Sequence, residues 1–372
     1  MSVRKFIPIS EPDIGNEELE NVVDAVKSGW ISSKGHYITD FEESFSTFVG
    51  TKHGVSTTNG TTALHLALTA IGIGPGDKVI VPNFTFISPV NTILYNHATP
   101  VLVDSNKLYW NLDPQEVEAL IDEETKAIIV VHLYGHPADM NPIMKIARKH
   151  DLNVIEDCAE AHGATYNGKN IGTFGDVSCF SFYGNKIITT GEGGICLTDN
   201  DELADRMRML RDHGMRPNNR YWHDEIGFNY RMTNIQAAIG LAQVSKIDHQ
   251  IEKRRKLAKA YAENLHDVEG LALHPEMSWA KGVYWLYSVL VKTNKKNVSR
   301  DRLSRILSDK GVDNRRFFYP AGMMPPYKEY VGKRSFPVSA ELSNTGMNLP
   351  SSSSVTTEEI EYIARIIRET LY

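Results

Sequence analysis

The sequence predicts an α/β fold, with a large domain built on a mostly parallel central sheet and a smaller α+β domain at the C-terminal end. Three observations support this prediction. The chain has 372 residues, whereas single hydrophobic cores stop growing at about 250–300 residues. Short apolar runs alternate with helical patterns between residues 50 and 200. These runs are continuous, which is typical of parallel strands buried on both faces.

The alternation between residues 50 and 200 defines the elements of the large domain. The predicted strands are Val79–Val81, Pro100–Val103, Ala127–Val131, Val154–Ile155, Val177–Phe182 and Gly194–Leu197. The predicted helices are Thr61–Ala70, Pro142–His150 and Asp201–Arg211, with Asn141 as the N-cap of the second. Because open α/β sheets bind ligands at the carboxyl ends of their strands, functional residues are expected just after these strands.

The pattern changes after residue 245. The predicted elements there are a long charged helix at Ile247–His266, an alternating strand at Val283–Val291, and helices at Arg300–Lys310 and Thr357–Leu371. The change predicts a large domain at residues 1–245 and a small C-terminal domain at residues 246–372.

Composition and charge argue against nucleic-acid and membrane partners. Hydrophobic residues make up 41% of the chain and charged residues 23%, with a net charge of -6, which is ordinary for a globular protein. The densest basic run, Lys253–Arg255, is interpreted as a solvated helix face. No apolar stretch approaches the ~20 residues of a membrane span, and Met1–Ser10 has no signal-peptide pattern. We therefore expect a cytoplasmic protein.

The cysteines give no metal-binding or disulfide pattern. Cys158, Cys179 and Cys196 are an odd count, and each lies inside an apolar run. Buried free thiols in a reducing compartment are therefore expected, with no metal site.

Two polar segments follow predicted strands or open helices. Asn59–Ala63 is a small turn at a helix start, where free N–H groups can bind a phosphate, although a plain capped helix has the same pattern. Glu156–Glu160 follows a buried strand. One of its carboxylates could keep a pyridinium nitrogen protonated, and the alternative is an N-cap with a solvated acid.

Lys186 is the strongest candidate for a reactive group. It follows the buried strand Val177–Phe182, and the glycine-rich segment Gly191–Gly194 comes next. Desolvation lowers the pKa of a lysine and makes its amine a nucleophile and base, whereas a single lysine is otherwise most often at the surface. Phe86 could stack on a flat ring or belong to the core. Arg231 could bind a phosphate or carboxylate, or be solvated.

Taken in order, these segments resemble the DegT/DnrJ/EryC1/StrS family of nucleotide-sugar aminotransferases over essentially the whole chain. The matching segments are Trp30–Gly35, Gly72–Asp77, Val131–Gly135, Glu156–Glu160, Ser181–Lys186 and Asn229–Thr233. The resemblance implies the type I (aspartate aminotransferase-like) fold and the cofactor pyridoxal 5'-phosphate.

The resemblance also implies roles for individual residues. Lys186 bonds to the cofactor and then moves protons, Asp157 pairs with the pyridine nitrogen, and Glu160 lies near the ring hydroxyl. Phe86 stacks on the ring, whereas Gly60, Thr61 and Ser181 hold the phosphate. Asn229 reaches the phosphate from a neighbouring subunit, with Arg231 on the same loop. The expected active unit is therefore a homodimer with shared sites.

The implied reaction transfers the amino group of L-glutamate to C4 of a nucleotide-linked 4-keto-6-deoxy sugar, for O-antigen or another glycan. Matches at Arg220–Asp224, Phe317–Ala321 and Asn348–Pro350 favour GDP-4-keto-6-deoxy-mannose. Trp30, Ser32, Lys34, Arg231, Arg315 and Tyr319 are the expected substrate contacts. Gly322 departs from the family, since relatives often have histidine there.

Three alternatives remain. One is a sibling aminotransferase that acts on a UDP- or dTDP-linked 3-keto or 4-keto sugar. A dehydratase of the same fold would have histidine in place of Lys186. A non-catalytic regulator that binds the cofactor would usually carry a DNA-binding module, for which the chain has neither spare length nor a basic patch.

Overall fold

The computed structural model describes residues 5–372, so Met1–Arg4 of the segment Met1–Ser10 lie outside the described residues. The strands are β1 His53–Thr57, β2 Lys78–Pro82, β3 Thr99–Val103, β4 Thr125–Val131, β5 Asn153–Asp157, β6 Thr165–Tyr166, β7 Lys169–Asn170, β8 Val177–Ser181, β9 Gly194–Thr198, β10 Leu271–Ala272, β11 Ala280–Lys281, β12 Tyr287–Val291, β13 Arg315–Arg316 and β14 Gly346–Leu349. The helices are α1 Asn16–Ser28, α2 His36–Val49, α3 Gly60–Ala70, α4 Ser88–Tyr95, α5 Pro114–Ala119, α6 Met140–His150, α7 Asp201–Arg211, α8 Asn234–Ser245, α9 Ile247–Leu265, α10 Arg300–Asp309, α11 Pro337–Thr345 and α12 Thr357–Leu371.

The central sheet has seven strands in the order β1-β9-β8-β5-β4-β2-β3. The pairs from β8 to β3 are parallel, and β9 is antiparallel to both of its neighbours. Six strands therefore share one direction, and their carboxyl ends lie at one edge of the sheet. Ala127–Val131 of β4 are all buried. Since successive side chains point to opposite faces, both faces of the sheet are covered. The predicted α/β fold is confirmed.

The C-terminal part forms a second, antiparallel sheet in the order β10-β12-β14-β13. It shares a hydrophobic core with α9, α10 and α12, in which Tyr261, Leu303 and Ile363 are buried. Ile7 belongs to the same core and pairs with Val312. An α+β C-terminal region is therefore confirmed. Among residues 5–372, no helix is both long and apolar enough to cross a membrane.

Three local predictions were wrong. The strand predicted at Val283–Val291 begins only at Tyr287. Helix α6 begins at Met140 with Asp139 as its N-cap, so Asn141 lies inside the helix. The Asp139 carboxylate makes no cap hydrogen bond because it accepts one from the Tyr166 hydroxyl at 2.6 Å. Arg254 is buried, so Lys253–Arg255 is not simply a solvated face. The Arg254 guanidinium donates to the backbone oxygens of Trp285 and Ser351, at 3.0 and 2.7 Å.

Candidate active site

A cavity of about 680 Å³ opens at the carboxyl edge of the central sheet. Its walls come from the start of α3, from the segments after β2, β5 and β8, and from Trp285, Arg315 and Phe318 of the C-terminal part. The volume lies within the range of small-molecule sites. The sheet topology thus brings together segments that are far apart in the sequence.

Lys186 projects into this cavity from the turn after β8. Its backbone N–H donates to the oxygen of Tyr183 at 2.9 Å, which fixes the turn. The side chain is 11% exposed, and its Nζ lies 3.9 Å from Oε1 of Glu160 and 3.8 Å from the centre of the Trp285 ring. Burial lowers the pKa of Lys186, although the carboxylates of Glu160 and Asp157 oppose this shift. The amine is therefore closer to a neutral nucleophile than a surface lysine is.

Asp157 and Glu160 are the cavity's two acidic groups at the end of β5. Oδ1 of Asp157 accepts from the Ala159 N–H at 3.0 Å, and burial raises the pKa of this carboxyl group. Oε2 of Glu160 accepts from the Tyr134 N–H at 2.7 Å. Burial raises the pKa of Glu160 to about 7, against the pull of Lys186. Each acid thus has one oxygen held by a backbone N–H, and the other oxygen of Glu160 lies 3.9 Å from the Lys186 amine.

Glu156, next to Asp157, belongs to the scaffold of the site. It is fully buried; Oε2 accepts from Nε2 of His132 and the N–H of Gly172, and Oε1 accepts from the N–H groups of Phe174 and Gly175. Burial opposes ionisation, but these hydrogen bonds prevail and lower the pKa of Glu156. The carboxylate ties β5 to the loop before β8.

His132, Glu156 and Cys158 come close enough to resemble a metal-ligand cluster. However, Nδ1 of His132 accepts from the Ala138 N–H at 3.0 Å, so Nε2 carries the proton that is donated to Glu156. With both ring nitrogens and the carboxylate engaged, the cluster supports no metal-site proposal.

The start of α3 forms the other end of the cavity. The first turn of a helix leaves N–H groups without partners. The Asn59 side chain accepts a hydrogen bond from one of them, the N–H of Thr62. Gly60 and Thr61 line the cavity beside Ser181. A Cβ at Gly60 would lie 2.8 Å from the Cβ of Ser181, so only glycine allows this close approach. N–H groups at a helix start next to a hydroxyl are suited to a phosphate.

The predicted site residues fall into two groups. Those that line the cavity are Gly60, Thr61, Phe86, Asp157, Glu160, Ser181, Lys186 and Arg315. Those that do not are Trp30, Ser32, Lys34, Asn229, Arg231 and Tyr319.

All residues of the second group except Tyr319 belong to two segments that lie outside the cavity lining. Oδ1 of Asn229 accepts from Nε of Arg231, whose guanidinium pairs with Asp212 at 2.8 Å. Asn234, a few residues later, donates to the backbone oxygens of Trp30 and Ser32, both at 2.7 Å. The Trp30–Lys34 segment and the Asn229–Arg231 segment are therefore neighbours, outside the cavity of their own chain.

The loop around Gly322 packs on the fold instead of lining the cavity. The Gly322 N–H donates to Oδ1 of Asn83 at 2.8 Å, and a Cβ at this position would lie 2.6 Å from a methyl group of Val331. The nearby Tyr319 ring is covered by the guanidinium of Arg316 at 3.5 Å. The expectation that Tyr319 reaches the substrate therefore has no support from the cavity lining.

Two important residues were not singled out from the sequence as site residues. The sequence pattern predicts only a strand at Trp285, but this residue precedes β12 and its ring covers the Lys186 amine. Tyr134 lies within the matching segment Val131–Gly135, and its backbone N–H donates to the Glu160 carboxylate. Neither has a local sequence signal, because their roles depend on how distant segments meet.

The cavity fits pyridoxal phosphate. The start of α3 with Ser181 suits its phosphate, the buried Asp157 carboxylate suits its ring nitrogen, and the Lys186 amine suits its aldehyde. Phe86, half exposed at the cavity wall, offers an aromatic face. These groups lie in one cavity of sufficient volume, and each complements a different part of the cofactor.

Comparisons with known proteins agree with this geometry. The DegT/DnrJ/EryC1/StrS aminotransferase family matches residues 12–368. GDP-perosamine synthase of Caulobacter vibrioides is 44% identical over 372 residues, covering 100% of both chains. GDP-perosamine synthase of Escherichia coli O157:H7 is 45% identical over 365 residues, covering 98% of both. An aminotransferase structure from Psychrobacter cryohalolentis superposes with a TM-score of 0.92 at 31% identity, over 98% of both chains. The chain therefore belongs to the DegT/DnrJ/EryC1/StrS aminotransferase family.

Proposed function

We propose that this enzyme transfers the amino group of L-glutamate to C4 of GDP-4-keto-6-deoxy-mannose and so produces GDP-perosamine. The observation that carries the choice of substrate is the similarity, along essentially the full chain, to two proteins named GDP-perosamine synthase. The cavity contains the groups that this chemistry needs: an amine of lowered pKa, two buried acids and a helix start suited to a phosphate.

The cavity residues divide the work of holding the cofactor. Gly60, Thr61 and Ser181 would hold its phosphate, Asp157 would keep the ring nitrogen protonated, and Phe86 would cover the ring face. Glu160 would face the ring hydroxyl. When bound, pyridoxal phosphate supplies the aldehyde that accepts the amino group and a ring that withdraws electrons from the carbon that loses a proton.

Lys186 has two successive roles in this proposal. Its amine would hold the cofactor through the aldehyde. Once glutamate had taken that place, the free amine would take the proton from the α-carbon of glutamate and pass it to the carbon that receives it inside the cavity. The lowered pKa supports the role of a base, and the burial of the side chain keeps water away from the reacting atoms.

We further propose that the enzyme is a homodimer in which Asn229, Arg231 and the Trp30–Lys34 segment complete the site of the partner. These residues lie outside the cavity of their own chain, and large apolar side chains near them are exposed: Trp30 by 56%, Tyr221 by 73% and Ile226 by 92%. Tyr221 and Ile226 belong to the loop between the paired residues Asp212 and Asn229. Exposed apolar surface of this kind is typical of an interface.

A mixing experiment tests the shared site. Lys186→Ala and Asn229→Ala should each be nearly inactive, but a hybrid dimer has one site with both native residues. Refolded equal mixtures should regain about a quarter of wild-type activity if dimers assemble at random. No recovery, in a mixture shown to contain hybrid dimers, would argue against sites shared in this way.

Arg315 is the proposed contact for the nucleotide diphosphate, since it lies in the cavity wall and is exposed. Arg315→Ala should raise KM for the sugar nucleotide much more than KM for glutamate. Unchanged sugar kinetics would remove Arg315 from the site.

We also propose that the chain divides into domains at residues 1–245 and 246–372. The second core supports this division, because it holds only C-terminal residues and Ile7, whereas the first core also takes in C-terminal residues such as Val283, Leu290 and Leu342. Hydrogen exchange should then show two cooperative units that meet near residue 245. A single unit of uniform protection would contradict the division.

The overall function is tested by absorbance. Glutamate should abolish the visible band of the lysine-bound cofactor, and GDP-4-keto-6-deoxy-mannose should restore it. UDP- and dTDP-linked 3-keto and 4-keto sugars should fail. If one of these restores the band in its place, the enzyme is a sibling aminotransferase; if glutamate has no effect on a cofactor-loaded protein, the aminotransferase proposal fails.

A further inference from the structure

The indole of Trp285 contacts the functional lysine in two ways. Its face covers the amine, with Nζ of Lys186 3.8 Å from the ring centre. Its edge donates a hydrogen bond from Nε1 to the backbone oxygen of Asn185 at 2.7 Å. One side chain therefore holds both the amine and the backbone just before it.

Trp285 is itself rigidly placed. It is only 4% exposed, and its backbone oxygen accepts from the buried guanidinium of Arg254 at 3.0 Å. The ring of Tyr134 lies nearly parallel to it, at 17° and 6.3 Å. The same Tyr134 donates its backbone N–H to Glu160, the carboxylate nearest the amine. The indole therefore forms a fixed wall of the cavity.

We propose that Trp285 is a positioning residue whose indole face holds the ε-amine of Lys186 whenever that amine is not bonded to the cofactor. The inference rests on the proposed function, because only the aminotransferase cycle frees the lysine amine. A freed lysine has four flexible methylene groups, and it must stay close to the reacting carbon. An aromatic face attracts the ammonium form, so the amine can accept a proton in a buried cavity without moving to solvent.

The charged groups around the Lys186 amine do not by themselves hold it in place, because the nearest ones are also needed by the cofactor. Glu160 lies 3.9 Å from Nζ, and both Glu160 and Asp157 favour the protonated amine. Arg315 and burial disfavour the protonated amine. The positive charge of Lys186 also lowers the pKa of the buried His162. Asp157 and Glu160 are also the proposed partners of the cofactor. The face of Trp285 is therefore a contact for the amine that is not also a proposed cofactor contact.

The test measures the pKa of the freed amine directly. Holoenzyme is converted with excess glutamate to the form in which Lys186 is unbonded. The extent of acetylation of Lys186 by acetic anhydride is then measured at a series of pH values by peptide mass spectrometry. Trp285→Leu removes the ring face and should lower the pKa of Lys186 by about one unit, the size expected for a desolvated cation–π contact. Trp285→Phe keeps a face but loses the N–H, and should stay near wild type.

Two further variants keep the test decisive. A multiply fluorinated tryptophan at position 285 retains the shape and the N–H but weakens the negative ring face, so it should lower the pKa of Lys186 even if Trp285→Leu does not fold. Trp279→Phe, at a half-buried tryptophan packed against Tyr166, is the control and should change nothing.

The outcomes separate this inference from the proposed function. If glutamate does not remove the visible band of wild-type holoenzyme, the proposed function fails. If the band is lost but the fluorinated ring leaves the pKa of Lys186 unchanged, the positioning role of Trp285 is refuted. An equal shift in Trp285→Phe and Trp285→Leu would also refute it, because the edge hydrogen bond would then account for the effect.

Discussion

Glu156→Gln should destabilise the protein strongly although it changes a single atom. The carboxylate is fully buried and accepts four hydrogen bonds, two at each oxygen: from His132 and Gly172 at Oε2, and from Phe174 and Gly175 at Oε1. A glutamine amide nitrogen accepts none, so two buried donors lose their partner whichever way the amide turns. At about 1–3 kcal/mol for each unsatisfied donor, the expected loss is about 2–6 kcal/mol, a large part of a typical stability of about 5–15 kcal/mol.

Urea unfolding followed by circular dichroism measures this loss. The matched control is Glu118→Gln, which removes an exposed carboxylate paired with Lys149 at 2.6 Å and should leave the midpoint unchanged. Glu156→Gln should unfold at clearly lower urea, and it should also bind the cofactor more weakly, because β5 carries Asp157. An unchanged midpoint for Glu156→Gln would show that the four hydrogen bonds do not hold the strand as described.

Further predictions concern pH and close packing. Burial raises the pKa of Glu160 from 4.5 to about 7, so the folded cofactor-free protein binds a proton that the unfolded chain releases; its stability should fall as pH rises from 4.5 to 7. Glu160→Gln should reduce that slope in urea midpoints, and parallel slopes would contradict the pKa shift. Gly60→Ala places a Cβ 2.8 Å from Ser181 and should weaken cofactor binding by at least about ten-fold in a dialysis titration, whereas Gly74→Ala, in open space, should bind normally. Gly322→His should lower the melting temperature without lowering KM for the sugar, because a Cβ there meets a valine methyl at 2.6 Å; normal stability would mean that the loop moves freely.

The parallel strands were predictable because each is a continuous apolar run buried on both faces. Val79–Val81 and Ala127–Val131 lie inside β2 and β4. Strand β1 was missed because His53–Thr57 contains only one strongly apolar residue, Val55, and it forms by pairing with β9. The predicted strand Val283–Val291 begins later, at Tyr287. Trp285 precedes the strand and contacts Asn185 and Lys186.

The cofactor end of the site was predictable because its residues follow strands whose carboxyl ends meet at one edge. Asp157 and Lys186 met this condition, and both line the cavity. Contacts made by residues remote in sequence carry no such signal. The burial of Arg254 depends on backbone oxygens of Trp285 and Ser351, which no pattern in a charged helix reveals.

The role of Lys186 is tested by identifying the residue that bonds to the cofactor. Borohydride reduces the bond between a lysine amine and the cofactor aldehyde, and peptide mass spectrometry then locates the label. We expect a label on Lys186 alone, no visible band in Lys186→Ala, and no turnover by that variant with glutamate and the sugar nucleotide. A label on another lysine, or a Lys186→Ala protein that still completes the transfer, would contradict it.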